Sequence, residues 1–268
     1  MNTPYIAILA IALYLAGGIK LALRLSQGTQ ATHHKGRFLA LGFVAVALHA
    51  WVLYQNLFVV NGLNMGIFNA LSLLSWIIAA IVLVTSLTQP VENIGIVALP
   101  LAAMALTVDL IFPSAHLVSK DAATGLKLHI LISILSYSLF CIAAVQAVLL
   151  AIQNKHLHGK RPGGFVRALP PLETMETLLF RIIAVAFLLQ SLSLVSGSLY
   201  LHDIFAQHMV HKTVLSIAAW LVFATLLIGR WRFGWRGRTA IRWTMSGFVT
   251  LLLAYLGSKY VLEVLLGK

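Results

Sequence analysis

The residues of this sequence best suited to chemistry are histidines in or beside long apolar segments. His49 lies in AVALHAWVL, and His129 lies in GLKLHILISILSY, near the start of another apolar run. His208 and His211 follow in HDIFAQHMVHKTVLSIAAW, at a spacing that places both on one side of a helix. A neutral imidazole nitrogen is a good ligand for haem iron. These four histidines are therefore candidate cofactor-binding residues, and His129 is the candidate ligand of a haem iron.

Each of these histidines also has a simpler interpretation. His49 and His129 could be hydrogen-bonded to neighbouring helices in the core of a bundle. His208 and His211 could be scattered residues of a polar loop; with His202 and Asp203 they could instead bind a metal or a porphyrin propionate. The spacing alone does not decide between these interpretations.

The surroundings of His129 favour a polar stripe on its helix. Helical periodicity places Ser133, Ser136 and Tyr137 on nearly the same face as the imidazole. Such a stripe either lines a polar pocket or bonds one helix to another through its hydroxyl groups.

Several classes of function find no support in the sequence. It lacks an HExxH motif, paired carboxylates, a nucleophile elbow and a phosphate-binding loop, so hydrolytic and nucleotide-driven chemistry are not indicated. The one cysteine, Cys141, excludes an intrachain disulfide and a cysteine-based metal site. The net charge of +12 comes from short loops between apolar segments, which indicates membrane anchoring and no nucleic-acid partner.

The elements that position these histidines are predicted to be membrane-spanning helices. Of 268 residues, 60% are apolar and only 10% are charged, and the mean hydropathy is +0.93. A span needs about 20 apolar residues, which predicts an all-α polytopic membrane bundle of about eight helices in a single integral domain, 1–268. The predicted spans are 4–24, 38–58, 66–87, 92–112, 126–153, 177–199, 211–230 and 242–265.

The distribution of Lys and Arg predicts the orientation. Twelve of them lie near the loops that follow the first, fifth and seventh spans, against five near the opposite ends. The richer side is cytoplasmic by the positive-inside rule, so both termini are predicted outside. His129 then lies near the outer face and His49 deeper in the membrane. Asp109 and Glu263 stand close to predicted helix ends, where an interfacial position is expected.

The second half of the chain resembles the cytochrome c assembly family, which includes the CcsA, ResC, CcmC and HemX-like proteins. The resemblance covers about residues 125–268, with looser agreement before them, and length and helix number are most like those of the YpjD branch. Four segments show the resemblance. The first, GLKLHILISILSYSLFCIAAVQAVLLAIQ, contains the family's outward histidine and Ser-Tyr pair. The other three are LPPLETMETLLFRIIAVAFLLQSLSLVSGSLY, HKTVLSIAAW and GRWRFGWRGRTAIRWTMSGFVTLLLAYLGSKYVLEVLLG.

The resemblance implies a haem-associated protein that binds or handles haem near the outer face of a bacterial inner membrane. His129 matches the family's first outward haem ligand, and His49 matches a helical ligand more loosely. Tyr200 and Phe205 stand where tryptophans of the family's outer loop are expected, and Leu227–Arg230 lacks the family's helical histidine. These departures imply an accessory or haem chaperone, not a complete haem lyase; His208 or His211 would replace the missing ligand.

Two other functions remain open at this stage. One is a regulatory or scaffold protein of the HemX-like kind, which has lost haem-lyase activity and acts with tetrapyrrole-synthesis proteins. The other is an ion-transport partner that uses Asp109 and the buried histidines. The lipid bilayer is the expected partner in every case, together with haem and other cytochrome c assembly proteins in the first.

Overall fold

The fold is dominated by long apolar helices. The computed structural model describes residues 3–26, 35–59, 62–112, 114, 116–120, 122–158, 165–200 and 210–257. Its helices are α1 Thr3–Ser26, α2 Lys35–Leu57, α3 Ile67–Thr85, α4 Gly95–Ile111, α5 Thr124–His158, α6 Phe165–Ala168, α7 Leu172–Tyr200, α8 Val210–Phe233 and α9 Gly237–Leu252. A 3₁₀ turn, Glu92–Ile94, leads into α4, and a π-helical turn, Leu253–Gly257, follows α9.

Seven helices in the described part of the chain are long and apolar enough to cross a membrane. They cover Thr3–Ser26, Leu39–Leu57, Ile67–Thr85, Glu92–Ile111, Thr124–Leu157, Leu172–Tyr200 and Lys212–Phe233. Each lies within five residues of a predicted span at both ends, which confirms the all-α polytopic bundle. The eighth predicted span, 242–265, begins as α9 and continues past Gly257 into residues outside the described part of the chain. Glu263 lies there too.

A small antiparallel sheet is an element that hydropathy does not predict. Strands β1 Phe58–Val59, β2 Gly62–Asn64 and β3 Leu117–Ser119 pair in the order β1-β2-β3. Gly62 has a φ of 147°, and a Cβ there would meet the carbonyl oxygen of Val118, so only glycine fits this close pairing. The sheet joins the loop after α2 to the loop after α4.

The chain divides into two compact units. Unit 1 contains residues 1–121 and 155–171, and unit 2 contains residues 122–154 and 172–268. The segment 125–268, singled out by sequence, thus covers nearly all of unit 2.

Unit 1 is built from α1 to α4. Helix α1 packs against α2 and α4, and α3 packs against the same two helices. Gly17 and Gly18 permit the close approach of α1 to Leu99 and Pro100, since added Cβ atoms would lie 3.3 and 3.1 Å from them. In lipid there is no hydrophobic driving force between helices, so they associate through close packing, which small residues permit.

Unit 2 contains most of α5 together with α7, α8 and α9. Aromatic contacts join its helices: Phe140 of α5 stacks on Phe223 of α8 with ring centroids 4.0 Å apart. Trp220 of α8 donates a hydrogen bond to Ser191 Oγ of α7 at 2.9 Å. Buried Glu176 of α7 accepts from the backbone N–H of Gly237 at 2.8 Å, which satisfies a donor at the beginning of α9. Its other oxygen pairs with Arg236 at 3.0 Å.

Candidate functional site: a histidine-lined cavity in unit 2

A cavity of about 310 Å³ lies among α5, α7 and α8, and Tyr255 of the π-helical turn completes its wall. This volume is at the lower end of the range for small-molecule sites. His129, Ser133 and Tyr137 line it from α5, which confirms that three members of the predicted stripe face a common pocket. Residues of α7 and α8, including Ser193 and Lys212, form the opposite walls.

Hydrogen bonds to α7 hold the His129 ring in place. Its Nδ1 lies 3.0 Å from Ser196 Oγ, and the Ser196 hydroxyl in turn donates to the Ser193 carbonyl at 3.0 Å. Because the serine proton is used by that carbonyl, Ser196 accepts from Nδ1–H. This arrangement favours the tautomer in which Nε2 carries the lone pair. The side-chain hydrogen bond that holds the ring is thus made at Nδ1, and Nε2 is the nitrogen that this arrangement leaves for a ligand.

A glycine on α7 makes room for the imidazole. A Cβ added at Gly197 would lie 3.1 Å from Cε1 of His129, and 3.9 Å from its Nε2. The 3.1 Å contact is tight, so a side chain at 197 would require the imidazole ring to shift by a few tenths of an ångström. The sequence analysis did not single out Gly197 or Ser196, since only the packing of α7 against α5 reveals them.

A cation faces the cavity beside the histidine. Lys212 of α8 lines the wall and interacts electrostatically with His129. Its Nζ lies 5.4 Å from the centroid of the Tyr255 ring, a cation–π distance. The cavity therefore combines an imidazole with a positive charge, a combination suited to an anionic ligand that also offers a metal atom.

The remaining hydroxyls of the stripe bond helix to helix. Ser133 Oγ lies 2.7 Å from Ser193 Oγ, and Ser136 donates to the Ala186 carbonyl at 2.9 Å. Ser136 is fully buried and reaches Gln190 as well. Both predicted roles of the stripe, lining a pocket and joining helices, thus occur on one face of α5.

His49 has a different environment, inside unit 1. Its side chain is fully buried, with Nδ1 3.2 Å from Tyr14 Oη and Nε2 3.0 Å from Ser72 Oγ. Both ring nitrogens are thus engaged, and binding to iron would require one of these bonds to break. A haem role for His49 stays a prediction.

The other predicted site residues lie wholly or partly beyond the described structure. His208 falls in 201–209, outside the described residues, as do His202 and Asp203. The backbone of His211 belongs to the first turn of α8, whereas its side chain is outside the described part. Their proposed role beside His129 stays a prediction. Within the described residues, no group of three or more His, Cys, Asp or Glu side chains is arranged to hold a metal ion.

The spans and the cavity define a class: a multi-pass helical membrane protein with a histidine-lined cavity in one of its units. The family model described as cytochrome C assembly protein matches residues 38–266. The chain therefore belongs to the cytochrome c assembly protein family. The match includes residues before 125, where the sequence shows a looser resemblance.

Individual relatives agree with this assignment. The chain is 31% identical to the inner membrane protein YpjD of Escherichia coli strain K12, over 98% of this chain and 99% of the relative. It is 25% identical to the cytochrome c biogenesis protein CcsA of Microcystis aeruginosa, over 96% and 92% of the two chains. It is 22% identical to the protein HemX of Brevibacillus brevis, over 84% and 86%. No solved structure matches the chain significantly.

These comparisons confirm two predictions made from the sequence. The family, and the likeness to its YpjD branch, are as the residues indicated. The name of the first relative and the seven apolar helices confirm a multi-pass protein of a bacterial inner membrane.

Proposed function

We propose that this protein binds haem in the unit 2 cavity and handles it as an accessory or chaperone of cytochrome c assembly. The observation that carries the proposal is the His129 ring, whose Nδ1 is hydrogen-bonded to Ser196 while Nε2 is left for a ligand. A histidine ligand of a metal characteristically donates its other ring N–H to an acceptor, which fixes its tautomer and orientation.

The donor set fits a haem. Imidazole is the common protein ligand of haem iron, and His129 supplies it. Lys212 would provide a counter-charge for a propionate group, because it lines the same cavity as His129. When bound, haem would supply the iron that His129 ligates; the residues of this chain would hold, orient and shield it.

The size of the cavity favours transient handling of haem over a site that encloses haem permanently. Ligand sites that enclose a molecule bury most of its surface, and 310 Å³ is little space for a macrocycle as large as a porphyrin. A porphyrin bound through His129 would therefore lie partly outside the cavity. A partly held cofactor suits a protein that passes haem on, which supports the accessory role over a complete lyase.

The regulatory or scaffold alternative makes a different prediction about the same cavity. A HemX-like scaffold that has lost the ligands would have no use for an imidazole held with an open nitrogen. The observed orientation of His129 therefore favours haem binding over this alternative. Cytochrome c assembly or tetrapyrrole-synthesis proteins are the partners expected in either case.

Haem titration of the purified protein in nanodiscs tests the proposal. We expect a Soret band characteristic of histidine ligation, its loss in His129→Ala, and its partial return when free imidazole is added to that variant. The returning band requires a cavity at the position of the deleted ring.

His156→Ala is the matched control, because His156 is an exposed histidine on the same helix. It should bind haem like the wild type. Equal Soret bands in wild type and His129→Ala, or no band in any of the proteins, would overturn the proposal.

A further inference from the structure

A groove on the surface of unit 1 takes no part in the proposed haem site. It lies between α1 and α2 and has a volume of about 350 Å³. Of the described residues that line it, four are apolar and one is a lysine: Leu13 and Lys20 of α1, and Ala40, Leu41 and Val44 of α2. Most of the groove is therefore a surface for hydrocarbon, with one positive charge on its wall.

Helical geometry explains why these side chains share one groove. Leu13 and Lys20 are seven residues apart, so they lie on one face of α1, two turns from each other. Ala40 and Val44 are four residues apart, which is one turn of α2. Along α1 the lining residues extend over about 10 Å. An elongated apolar ligand that lies parallel to the two helices fits such a groove.

The lysine lies inside a membrane span, toward one end of it. Because α1 ends at Ser26, Lys20 is about 9 Å from that end and Leu13 is about 20 Å from it. Ala40 is about 8 Å from the beginning of α2 at Lys35. Both helix ends belong to the side that is richer in Lys and Arg and is predicted to be cytoplasmic. A lysine at this depth extends its ammonium toward the headgroups, while the apolar wall continues toward the bilayer centre.

Among the described residues, no carboxylate pairs with Lys20. Its side chain is exposed and forms no ion pair or hydrogen bond within that part of the chain. The sequences of α1 and α2 contain no Asp or Glu. Glu92 comes just before α4, which contacts α1 at the buried residues Gly17 and Gly18. A cation on a lipid-facing wall is costly unless an anion lies beside it.

From this geometry we propose that the groove binds an anionic phospholipid, with the phosphate beside Lys20 and part of an acyl chain along the apolar residues. Such a lipid offers a negative charge at the headgroups and a hydrocarbon chain that runs from there toward the bilayer centre. Basic pockets between transmembrane helices on the cytoplasmic side bind anionic headgroups in the same way. A zwitterionic lipid offers similar chains, but its own cationic group offsets the attraction to a lysine. The proposal is independent of haem binding, since the whole groove belongs to unit 1.

Native mass spectrometry of the full-length protein tests the charge preference of the groove. The protein in non-ionic detergent is titrated with phosphatidylglycerol, or with phosphatidylcholine that carries the same acyl chains, and the protein ions that retain a lipid are quantified. We expect the wild type to bind phosphatidylglycerol more tightly. In Lys20→Gln this affinity should fall by about 5-fold, the contribution of one Lys near an anionic headgroup, while the affinity for phosphatidylcholine should not change.

Lys155→Gln is the matched control for charge, because Lys155 is an exposed lysine of α5 that does not line the groove. It should bind phosphatidylglycerol like the wild type. Equal losses in Lys20→Gln and Lys155→Gln would assign the effect to net charge and overturn the proposal. An affinity that is unchanged in Lys20→Gln would overturn it as well.

Ala40→Phe tests the apolar part of the groove, because it places a ring where the acyl chain is expected and leaves Lys20 in place. We expect phosphatidylglycerol affinity to fall at least as much as in Lys20→Gln. Ala12→Phe is the control, since Ala12 is an exposed residue of α1 outside the groove, and it should bind like the wild type. Wild-type affinity in Ala40→Phe, or equal losses in both variants, would show that no acyl chain lies in the groove.

Glycerol phosphate, which carries the phosphate without acyl chains, separates a lipid from a soluble anion. Added in excess, it should leave the bound phosphatidylglycerol in place. Displacement of the lipid would identify a soluble phosphate as the ligand and contradict the proposal.

Discussion

His49 and His129 are both helical histidines of a membrane bundle, yet their surroundings differ in kind. The His49 ring is fully buried, and both nitrogens are occupied, by Tyr14 and Ser72. The His129 ring lines a cavity and is fixed through one nitrogen, by Ser196. His49 thus connects helices inside the bundle, whereas the ring of His129 is presented to a cavity, where we propose that it is a ligand. The number of ring nitrogens already engaged distinguishes the two roles.

The largest expected difference between the two sites is in stability. His49→Ala would open a cavity and leave two buried hydroxyls without their partner, at a cost of about 3–5 kcal/mol in the free energy of unfolding. His129→Ala removes a partly exposed ring with one hydrogen bond and should cost about 1 kcal/mol or less. Unfolding of both variants by denaturing detergent measures the difference. Equal costs would contradict the distinction between connector and ligand.

Removal of the serine that orients His129 should weaken haem binding. In Ser196→Ala the acceptor for Nδ1–H is lost, and we expect haem affinity to fall by about 10–100-fold, the usual effect of losing such a partner. Ser198→Ala provides a control, because Ser198 lines the same cavity but bonds to Val195. Titration of both variants with haem gives the affinities. Comparable losses in the two variants would show that general polarity of the wall, and not ring orientation, determines binding.

Tyr14→Phe should affect the stability contributed by His49 and leave haem binding unchanged. The substitution removes a hydroxyl but keeps the ring that packs edge-on against His49, with centroids 5.8 Å apart. The expected cost is about 1 kcal/mol of stability, with haem affinity unchanged. Tyr54→Phe is the matched control, since Tyr54 is 59% exposed and its loss of a hydroxyl should have no effect on stability. A fall in haem affinity for Tyr14→Phe would show that the hydrogen bonds of His49 affect haem binding. His49 and His129 would then not have separate roles.

The smallest expected effect concerns charge at the cavity wall. Lys212→Gln should lower the affinity for haem by roughly 2- to 5-fold at low ionic strength, and the difference should shrink as salt is added. Haem dimethyl ester, whose propionates carry no charge, should bind wild type and variant equally. An equal loss for haem and its ester would assign the effect of Lys212 to packing.

Sequence reasoning succeeded where local pattern determines structure. Apolar runs of sufficient length predicted seven spans to within five residues. In lipid, backbone N–H and C=O groups must be hydrogen-bonded within the protein, and a continuous helix does this for a single apolar run. The stripe from His129 to Tyr137 was predicted to share one face, because helical periodicity fixes direction. Pairing between distant segments was beyond such reasoning. Tyr14 and Ser72 are 35 and 23 residues from His49, and nothing local in the sequence marks them as its partners.

The same limit applies to the small sheet and to the burial of Asp109. Strands of two or three residues have no recognisable periodicity, so β1 to β3 were not predicted. Asp109 was expected at an interface because it stands near a helix end. The structure leaves it only 5% exposed, with hydrogen bonds from Asn56 and Asn69 of two other helices. Depth in a bundle is a property of packing, and position along one helix does not determine it.

A paired haem titration tests the contrast between His49 and His129 most directly. His129→Gln and His49→Gln make the same chemical change, and each retains a polar side chain at its position. The Soret band of each variant is measured in nanodiscs at equal protein and haem concentrations. We predict that His129→Gln loses histidine-ligated haem binding, with affinity at least about 10-fold lower, whereas His49→Gln binds like the wild type. Loss of the band in His49→Gln, with His129→Gln unchanged, would contradict the account.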